Sequence, residues 1–187
     1  MRKYVVIYRA VFIENLQYIA NIAMGFITYL ILSVVFLNLW GYMYDAPGEL
    51  IAGYTKEQMI WYVMITEMIW FGARSSTVRE QVAADIRGGN IAYLINKPYC
   101  YPFYILAKYT GEWNIQLSMY AGLTAVVGCM MVGALPNFHW STLAAVVPCI
   151  VLGMTIHAVF KICISMLSFW IEDANPFQWL YDKLILV

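Results

Sequence analysis

A continuous run of 24 residues without a charged side chain, ANIAMGFITYLILSVVFLNLWGYM at 20–43, limits what this chain can fold into more than any other feature. An α-helix rises about 1.5 Å per residue, so a run of this length covers the roughly 30 Å hydrocarbon core of a bilayer. Charged residues make up 12% of the chain, about half of their usual share in soluble domains. The run therefore predicts a membrane-spanning helix, and the low charge content indicates that lipid covers much of the protein.

Three further apolar stretches predict spans at 56–74, 112–134 and 142–170. Residues 2–19 alternate charged and apolar side chains, which is typical of an amphipathic helix that lies on the membrane surface and contacts lipids. The predicted fold class is all-α: one polytopic α-helical membrane domain with an N-terminal interfacial helix, four transmembrane helices and the start of a fifth. Because the sequence ends on the apolar run LILV, we expect it to be a C-terminally incomplete version of a longer protein.

Lys and Arg are concentrated in two places, before the first predicted span and between the second and third. They are Arg2, Lys3, Arg9, Arg74, Arg79, Arg87, Lys97 and Lys108. The loop at 135–141 has no Lys or Arg. Since cytoplasmic loops hold the excess of positive charge, the N-terminus, the interval at 75–110 and the segment after residue 170 are predicted to be cytoplasmic. The predicted localisation is the cell (cytoplasmic or inner) membrane, which the chain crosses several times.

The interval at 75–110 contains a short helix with well-marked ends. Thr77 followed three residues later by Glu80 is a capping box, and Gly88 with Gly89 is a typical helix stop. Between them an apolar side chain recurs every fourth residue: Val78, Val82 and Ile86. Such an amphipathic helix suits docking into a groove of a partner protein, or it lies on the lipid headgroups. The spacing leaves both interpretations open.

The sequence around this helix, VREQVAADIRGGNIAYLINKPYCYPFYILAKYTGE, resembles the segment between the second and third spans of ABC-2-type ABC transporter permeases. It is most similar to the daunorubicin-resistance-permease-like branch, whose pattern here is (I/V)REQI–x–G–x–(L/I)–x–x–LL–(R/K)–P. The matching residues are Val78-Arg79-Glu80-Gln81, Arg87-Gly88, Tyr93-Leu94-Ile95 and Lys97-Pro98. A second stretch, FWIEDANPFQWLYDKL, is similar to that branch's FW–x–E–x–(A/S) motif after the fourth span. Members of the family have later spans as well, so the resemblance also implies a longer protein.

The resemblance implies a function as well as a fold. It implies a permease subunit of an exporter, in which a coupling segment at 77–98 docks on a separate cytosolic ABC ATPase subunit. The docking residues that it implies are Arg79, Glu80, Asp85, Arg87, Gly88 and Pro98. A second permease, identical or related, is the other partner that it implies. This chain has no GxxxxGK[ST] phosphate-binding loop, so we expect the partner to bind and hydrolyse ATP and this chain to hold no cofactor.

Ionisable residues inside the predicted spans form a second candidate site, because a charge within a bilayer is costly. Glu67 lies near the middle of the second span, and Lys161 lies in the fourth span with His157 one turn away. In one interpretation Glu67 and Lys161 form a buried pair between spans, and in another these residues line the translocation path. In a third, Lys161 extends towards the cytoplasmic side and Glu67 is protonated or bonded to a neighbour.

Two other functional classes compete with transport. A small membrane scaffold or sensor could use the same cytoplasmic helix to bind a partner without moving a substrate. An intramembrane enzyme would need paired carboxylates, a Ser–His arrangement or a His-rich metal site. His139 and His157 lie about five turns apart if they share a helix, and the four cysteines are scattered, so we expect neither catalytic residues nor a metal site. The formal net charge of zero gives no indication of nucleic-acid binding.

Overall fold

The computed structural model of the chain describes residues 2–17, 19–44, 50–73, 77–136, 138–171 and 174–185, and their side chains except at 19–22, 77–80 and 185. Within these ranges the chain is helical almost throughout, and its only extended pairing is one isolated bridge between Ile51 and Tyr54. The helices are α1 (Arg2–Gln17), α2 (Ile19–Met43), α3 (Lys56–Ala73), α4 (Thr77–Arg87), α5 (Asn90–Ile95), α6 (Tyr101–Met131), α7 (Trp140–Met166) and α8 (Asn175–Ile185). A 3₁₀ turn, Leu167–Phe169, follows α7 directly. The predicted all-α fold class is confirmed.

Three helices in these ranges are long and apolar enough to cross a membrane. They are Ala23–Met43 within α2, the whole of α6, and Trp140–Phe169, which joins α7 to the 3₁₀ turn. The first, third and fourth predicted spans fall on these helices. α3 has only 18 residues, and three of them are charged, which keeps it out of this set. A second span at 56–74 therefore stays a prediction.

α6 extends the third predicted span towards the N-terminus, since the helix begins at Tyr101 and not near residue 112. Pro102 is compatible with this start because it lies in the first turn, where a backbone N–H has no partner within the helix. At 31 residues, α6 is about 46 Å long, which exceeds the roughly 30 Å hydrocarbon core of a bilayer. Its first turns can therefore extend beyond the hydrocarbon and carry polar contacts.

The chain divides into two compact units. The first unit consists of Met1–Glu14, Ser75–Trp113 and Val146–Val187, and the second consists of Asn15–Arg74 and Asn114–Ala145. All three segments that were predicted to share the cytoplasmic side belong to the first unit.

In the second unit, aromatic side chains of α2, α3 and α6 form a buried cluster. Tyr29, Phe71 and Tyr120 are each at most 5% exposed, and the rings of Tyr29 and Phe71 meet edge to face with their centroids 5.8 Å apart. The Tyr29 hydroxyl and Thr124 Oγ1 form a hydrogen bond of 2.6 Å. This bond satisfies a hydroxyl group that has no access to water.

Two local features fix α3 within the second unit. A capping box begins the helix, because Thr55 N donates to Gln58 Oε1 at 3.0 Å and Gln58 N donates to Thr55 Oγ1 at 3.4 Å. Near its start the Trp61 ring packs on α6 at Gly128, where an added Cβ would lie 2.7 Å from Cζ2 and 2.8 Å from Cζ3 of the ring. Small residues allow this kind of close approach between helices in membrane proteins.

In the first unit, α1 is held against the segment that contains α6. Lys3 Nζ donates to the Pro98 carbonyl at 2.7 Å. At Gly111 of α6, an added Cβ would lie only 2.9 Å from the Tyr8 carbonyl oxygen of α1. The helix predicted for 2–19 is present as α1, and its position on the membrane surface stays a prediction.

Candidate functional site

The coupling segment contains two short helices, α4 and α5, joined by two glycines. The Gly88 N–H donates to the Ala84 carbonyl at 2.9 Å, and the Gly89 N–H donates to the Ile86 carbonyl at 3.2 Å. Gly89 has a φ of 72°, a left-handed conformation in which a side chain would be strained. The helix stop predicted from these glycines is confirmed, and α5 begins directly after it at Asn90.

One face of α4 points into the first unit. Val82 is fully buried. The Tyr101 hydroxyl donates to Asp85 Oδ2 at 2.8 Å, and Lys108 Nζ donates to Gln81 Oε1 at 2.7 Å. Cα atoms of α4 also lie within 8 Å of those of the 3₁₀ turn. The first helix of the coupling segment is therefore bonded to the first turns of α6 and lies beside the end of α7.

Four residues of the coupling segment are exposed, and we call them together the α4–α5 surface: Arg87, Gly88, Tyr93 and Ile95. The Tyr93 side chain is 69% exposed and that of Ile95 is 59% exposed, while Arg87 and Gly88 are exposed at the turn. The Lys97 ammonium lies 4.6 Å from the centroid of the Tyr93 ring. Positive charge together with exposed aromatic and aliphatic side chains is typical of protein–protein contact sites, where Tyr and Arg often contribute most of the binding energy.

The structure separates the six residues that the family resemblance implied in docking. Two lie together on the exposed turn: Arg87 and Gly88. Two make bonds within the first unit, to Tyr101 and Lys3 respectively: Asp85 and Pro98. The side chains of the remaining two lie outside the described residues: Arg79 and Glu80. A role in docking stays a prediction for all six.

The sequence gives no role in this site to four of its residues: Gln81, Tyr93, Tyr101 and Lys108. Tyr101 and Lys108 are seven residues apart, which places them on one face of a helix. The sequence does not indicate that relation, because the interval at 75–110 is polar and the third span is predicted to begin only at residue 112. Pro102 was the available signal, since proline is common in the first turn of a helix.

A buried polar cluster joins α7 to α8 in the first unit. Lys161 is 8% exposed, and its Nζ lies 3.2 Å from Asp182 Oδ1. His157 Nδ1 and the Tyr181 hydroxyl form a hydrogen bond of 3.1 Å, and their rings stack with centroids 5.5 Å apart. Both intramembrane residues predicted on the fourth span therefore have partners on α8.

Glu67, the third residue predicted as an intramembrane site, lies half-buried on α3 in the second unit. The pairing of Glu67 with Lys161 stays a prediction. The partner that the structure gives to Lys161 is Asp182. The sequence alone does not point to Asp182, because the segment that contains it is predicted only to start a fifth span. In the part of the chain that the structure describes, no three His, Cys, Asp or Glu side chains are grouped so that they could hold a metal ion.

A family model described as "ABC-2 family transporter protein" matches residues 22–186. No curated protein and no solved structure matches the chain. The match extends from the first long apolar helix to α8, and so includes both polar sites described above. Permeases of this family are the membrane-spanning partners of ABC ATPases. The chain therefore belongs to the ABC-2 family of transporter proteins and is a multi-pass permease subunit of an ABC transporter.

Proposed function

We propose that this permease exports its substrate and that a separate cytosolic ABC ATPase drives it by docking on the α4–α5 surface. The observation that carries the proposal is the exposure of Arg87, Tyr93 and Ile95 on a segment that is also bonded to α6. A partner that binds this surface can displace α4 without contacting the spans. ATP is bound and hydrolysed on that partner, and this chain supplies no cofactor.

Export is proposed from the resemblance to the daunorubicin-resistance-permease-like branch, which lies in the residues from Val78 to Pro98. The same resemblance supports a second permease, identical or related, as the other membrane partner. Neither direction nor pairing follows from the family match, which covers the chain at the level of the ABC-2 family.

We also propose that the N-terminus and the coupling segment face the cytoplasm of a cell membrane. The distribution of Lys and Arg supports this orientation, and so does the grouping of the three predicted cytoplasmic segments in the first unit. α1 leaves Val5, Val6 and Ile13 more than half exposed, with Arg2 and Arg9 exposed on the same helix. Apolar and basic side chains together favour contact with lipid at the membrane surface.

For the charges inside the spans, we propose that His157 and Lys161 hold α8 against α7. Their bonds to Tyr181 and Asp182 support pairing more than a place on the translocation path. Burial of a charge is tolerated when a partner compensates it. Glu67 stays a candidate for the translocation path.

The experiment that tests the docking is affinity purification of the tagged chain from its native membranes in mild detergent, with ATP hydrolysis measured in the eluate. We expect an ABC ATPase to accompany the wild-type chain and to be lost from an Arg87→Ala, Tyr93→Ala double variant. Tyr42→Ala is the matched control, because Tyr42 is 82% exposed but belongs to the end of α2 and not to the coupling segment.

Three results are distinguishable in this experiment. Loss of the ATPase from the double variant alone supports docking on the α4–α5 surface. Retention of the ATPase by the double variant contradicts that site while leaving the permease function intact. A wild-type chain that brings down another protein, with no ATP hydrolysis, contradicts the proposal and favours the membrane scaffold or sensor.

A further inference from the structure

We propose that Asp85 and Gln81 act as positioning residues that transmit movement of α4 to α6, and that Asp85 does not contact the ATPase. This inference rests on the proposed docking of an ATPase on the coupling segment. It reassigns Asp85 from the docking set to the opposite side of α4.

The two acceptors share one face of α4, and the two donors share one face of α6. Gln81 and Asp85 are four residues apart on α4, so they are neighbours on its surface. Tyr101 and Lys108 are seven residues apart on α6, which also places them on one side. Gln81 accepts from Lys108, and Asp85 accepts from Tyr101. The two bonds therefore hold the helices at two separate points, which opposes rotation of α4 about either bond.

Both bonds have the chemistry of strong links. The Tyr101 hydroxyl donates to a carboxylate, and the amide oxygen of Gln81 accepts from an ammonium group. Hydrogen bonds with one ionised partner are shorter and stronger than neutral ones. Tyr101 is only 5% exposed, and both bonds are partly buried, so competition from water is reduced.

Different residues of the coupling segment are available for docking on the ATPase and for transmitting movement to α6. Tyr93 and Ile95 are exposed, whereas the Asp85 carboxylate is engaged by Tyr101 and Val82 beside it is fully buried. α6 continues from Tyr101 as one unbroken helix to Met131. A displacement of α4 is therefore applied to α6 at its first turn through Asp85, and two turns later through Gln81.

The test follows movement of α6 in the purified complex of the chain with its ATPase. Cys129, which is exposed on α6, carries a thiol-reactive fluorophore after the other three cysteines are replaced by Ser: Cys100, Cys149 and Cys163. The change in fluorescence on adding ATP with vanadate reports whether α6 responds to the ATPase. The amount of ATPase retained on the complex is measured in the same samples.

The variants separate a hydrogen bond from a docking charge. Asp85→Ala and Tyr101→Phe each remove the bond, whereas Asp85→Asn keeps an oxygen that can accept it. We expect the first two to shift the equilibrium away from a responding α6 by about tenfold, in the range of one charge-assisted hydrogen bond. We expect Asp85→Asn, which keeps a weaker neutral bond, to respond between the wild type and Asp85→Ala, and all three variants to retain the ATPase.

Two further variants guard against a general loss of structure. Tyr104→Phe removes a hydroxyl one turn beyond Tyr101 on α6 and is expected to leave the response unchanged. Lys108→Met removes the second bond and is expected to weaken the response independently. The double variant Asp85→Ala, Tyr101→Phe is expected to respond as each single variant does, because both changes remove the same bond.

Several outcomes would overturn the proposal. One is release of the ATPase by Asp85→Asn, which would show that the charge itself serves docking. Others are a wild-type response in Tyr101→Phe, or a wild-type complex that hydrolyses ATP without any change at Cys129. A wild-type chain that retains no ATPase would instead refute the proposed function, on which this inference rests.

Discussion

The contact between Trp61 and Gly128 gives the sharpest prediction about packing in this protein. Gly128→Ala places a methyl group against the buried Trp61 ring, 2.7 Å from Cζ2 and 2.8 Å from Cζ3. Trp61 is only 6% exposed, so the ring has little room to move away. Overpacking of this kind costs about 1–3 kcal/mol of unfolding free energy.

The matched control is Gly122→Ala on the same helix, where an added Cβ meets nothing within 4 Å. Both substitutions change the helix propensity of α6 equally, by about 1 kcal/mol in favour of Ala. This gain cancels when the two variants are compared, so the difference between them measures the clash. A clash of about 1–3 kcal/mol corresponds to a difference of about 2–12 °C in melting temperature for a chain of this size.

The assay is thermal unfolding of both variants in mild detergent, followed by the fraction that stays monodisperse in size-exclusion chromatography. We expect Gly122→Ala to be at least as stable as wild type and Gly128→Ala to melt about 2–12 °C below Gly122→Ala. Combining Gly128→Ala with Trp61→Phe removes part of the ring and is expected to recover part of the loss. A Gly128→Ala protein as stable as Gly122→Ala would refute the close packing of α3 on α6 at this point.

Two further predictions concern the first unit. Asp182→Asn leaves the buried Lys161 ammonium without its charged partner and is expected to lower the unfolding free energy by about 1–2 kcal/mol, less than for a fully buried pair because Asp182 is partly exposed. Adding Lys161→Met should restore most of the lost stability. The measurement is thermal unfolding of the wild type, Asp182→Asn and the double variant, and the pairing would be contradicted if the double variant were the least stable. Gly89→Ala forces a side chain into the left-handed conformation at the end of α4, at a cost of about 1–2 kcal/mol. We therefore expect limited proteolysis between α4 and α5 to be faster in this variant than in an Asn96→Ala control. Equal rates of cleavage would argue against the strained turn.

Local signals in the sequence predicted much of this structure. The uncharged run at 20–43 falls on α2, and the Gly88-Gly89 pair ends α4. Each of these depends on residues within a few positions of one another, where backbone hydrogen bonding and φ preferences act directly. Such features are therefore accessible without knowledge of the fold.

The partners of the polar residues could not be predicted in the same way. For Lys161 the sequence leaves open a pair with Glu67, a place on the translocation path or an extension towards the cytoplasm, and it does not point to Asp182 of α8, with which the ammonium pairs in the structure. The resemblance implies Asp85 in docking, which stays a prediction, and it does not point to Tyr101, whose hydroxyl donates to the Asp85 carboxylate. Both partners are fixed by which helices lie side by side, and hydrophobic periodicity carries no information about that choice.

The helices inside the first unit and those inside the second are held by different interactions, and this difference bears on how the permease works. The second unit relies on aromatic packing and on close helix approach at Gly128, which is the usual basis of association where lipid surrounds the helices. The first unit relies on hydrogen bonds and an ion pair between helices, such as Asp85 with Tyr101 and Lys161 with Asp182. Directional bonds fix the relative orientation of two helices, whereas apolar packing mainly resists their separation. Changes in the second unit should therefore lower stability first, while removal of single bonds in the first unit should uncouple α6 from α4 in a protein that is still folded.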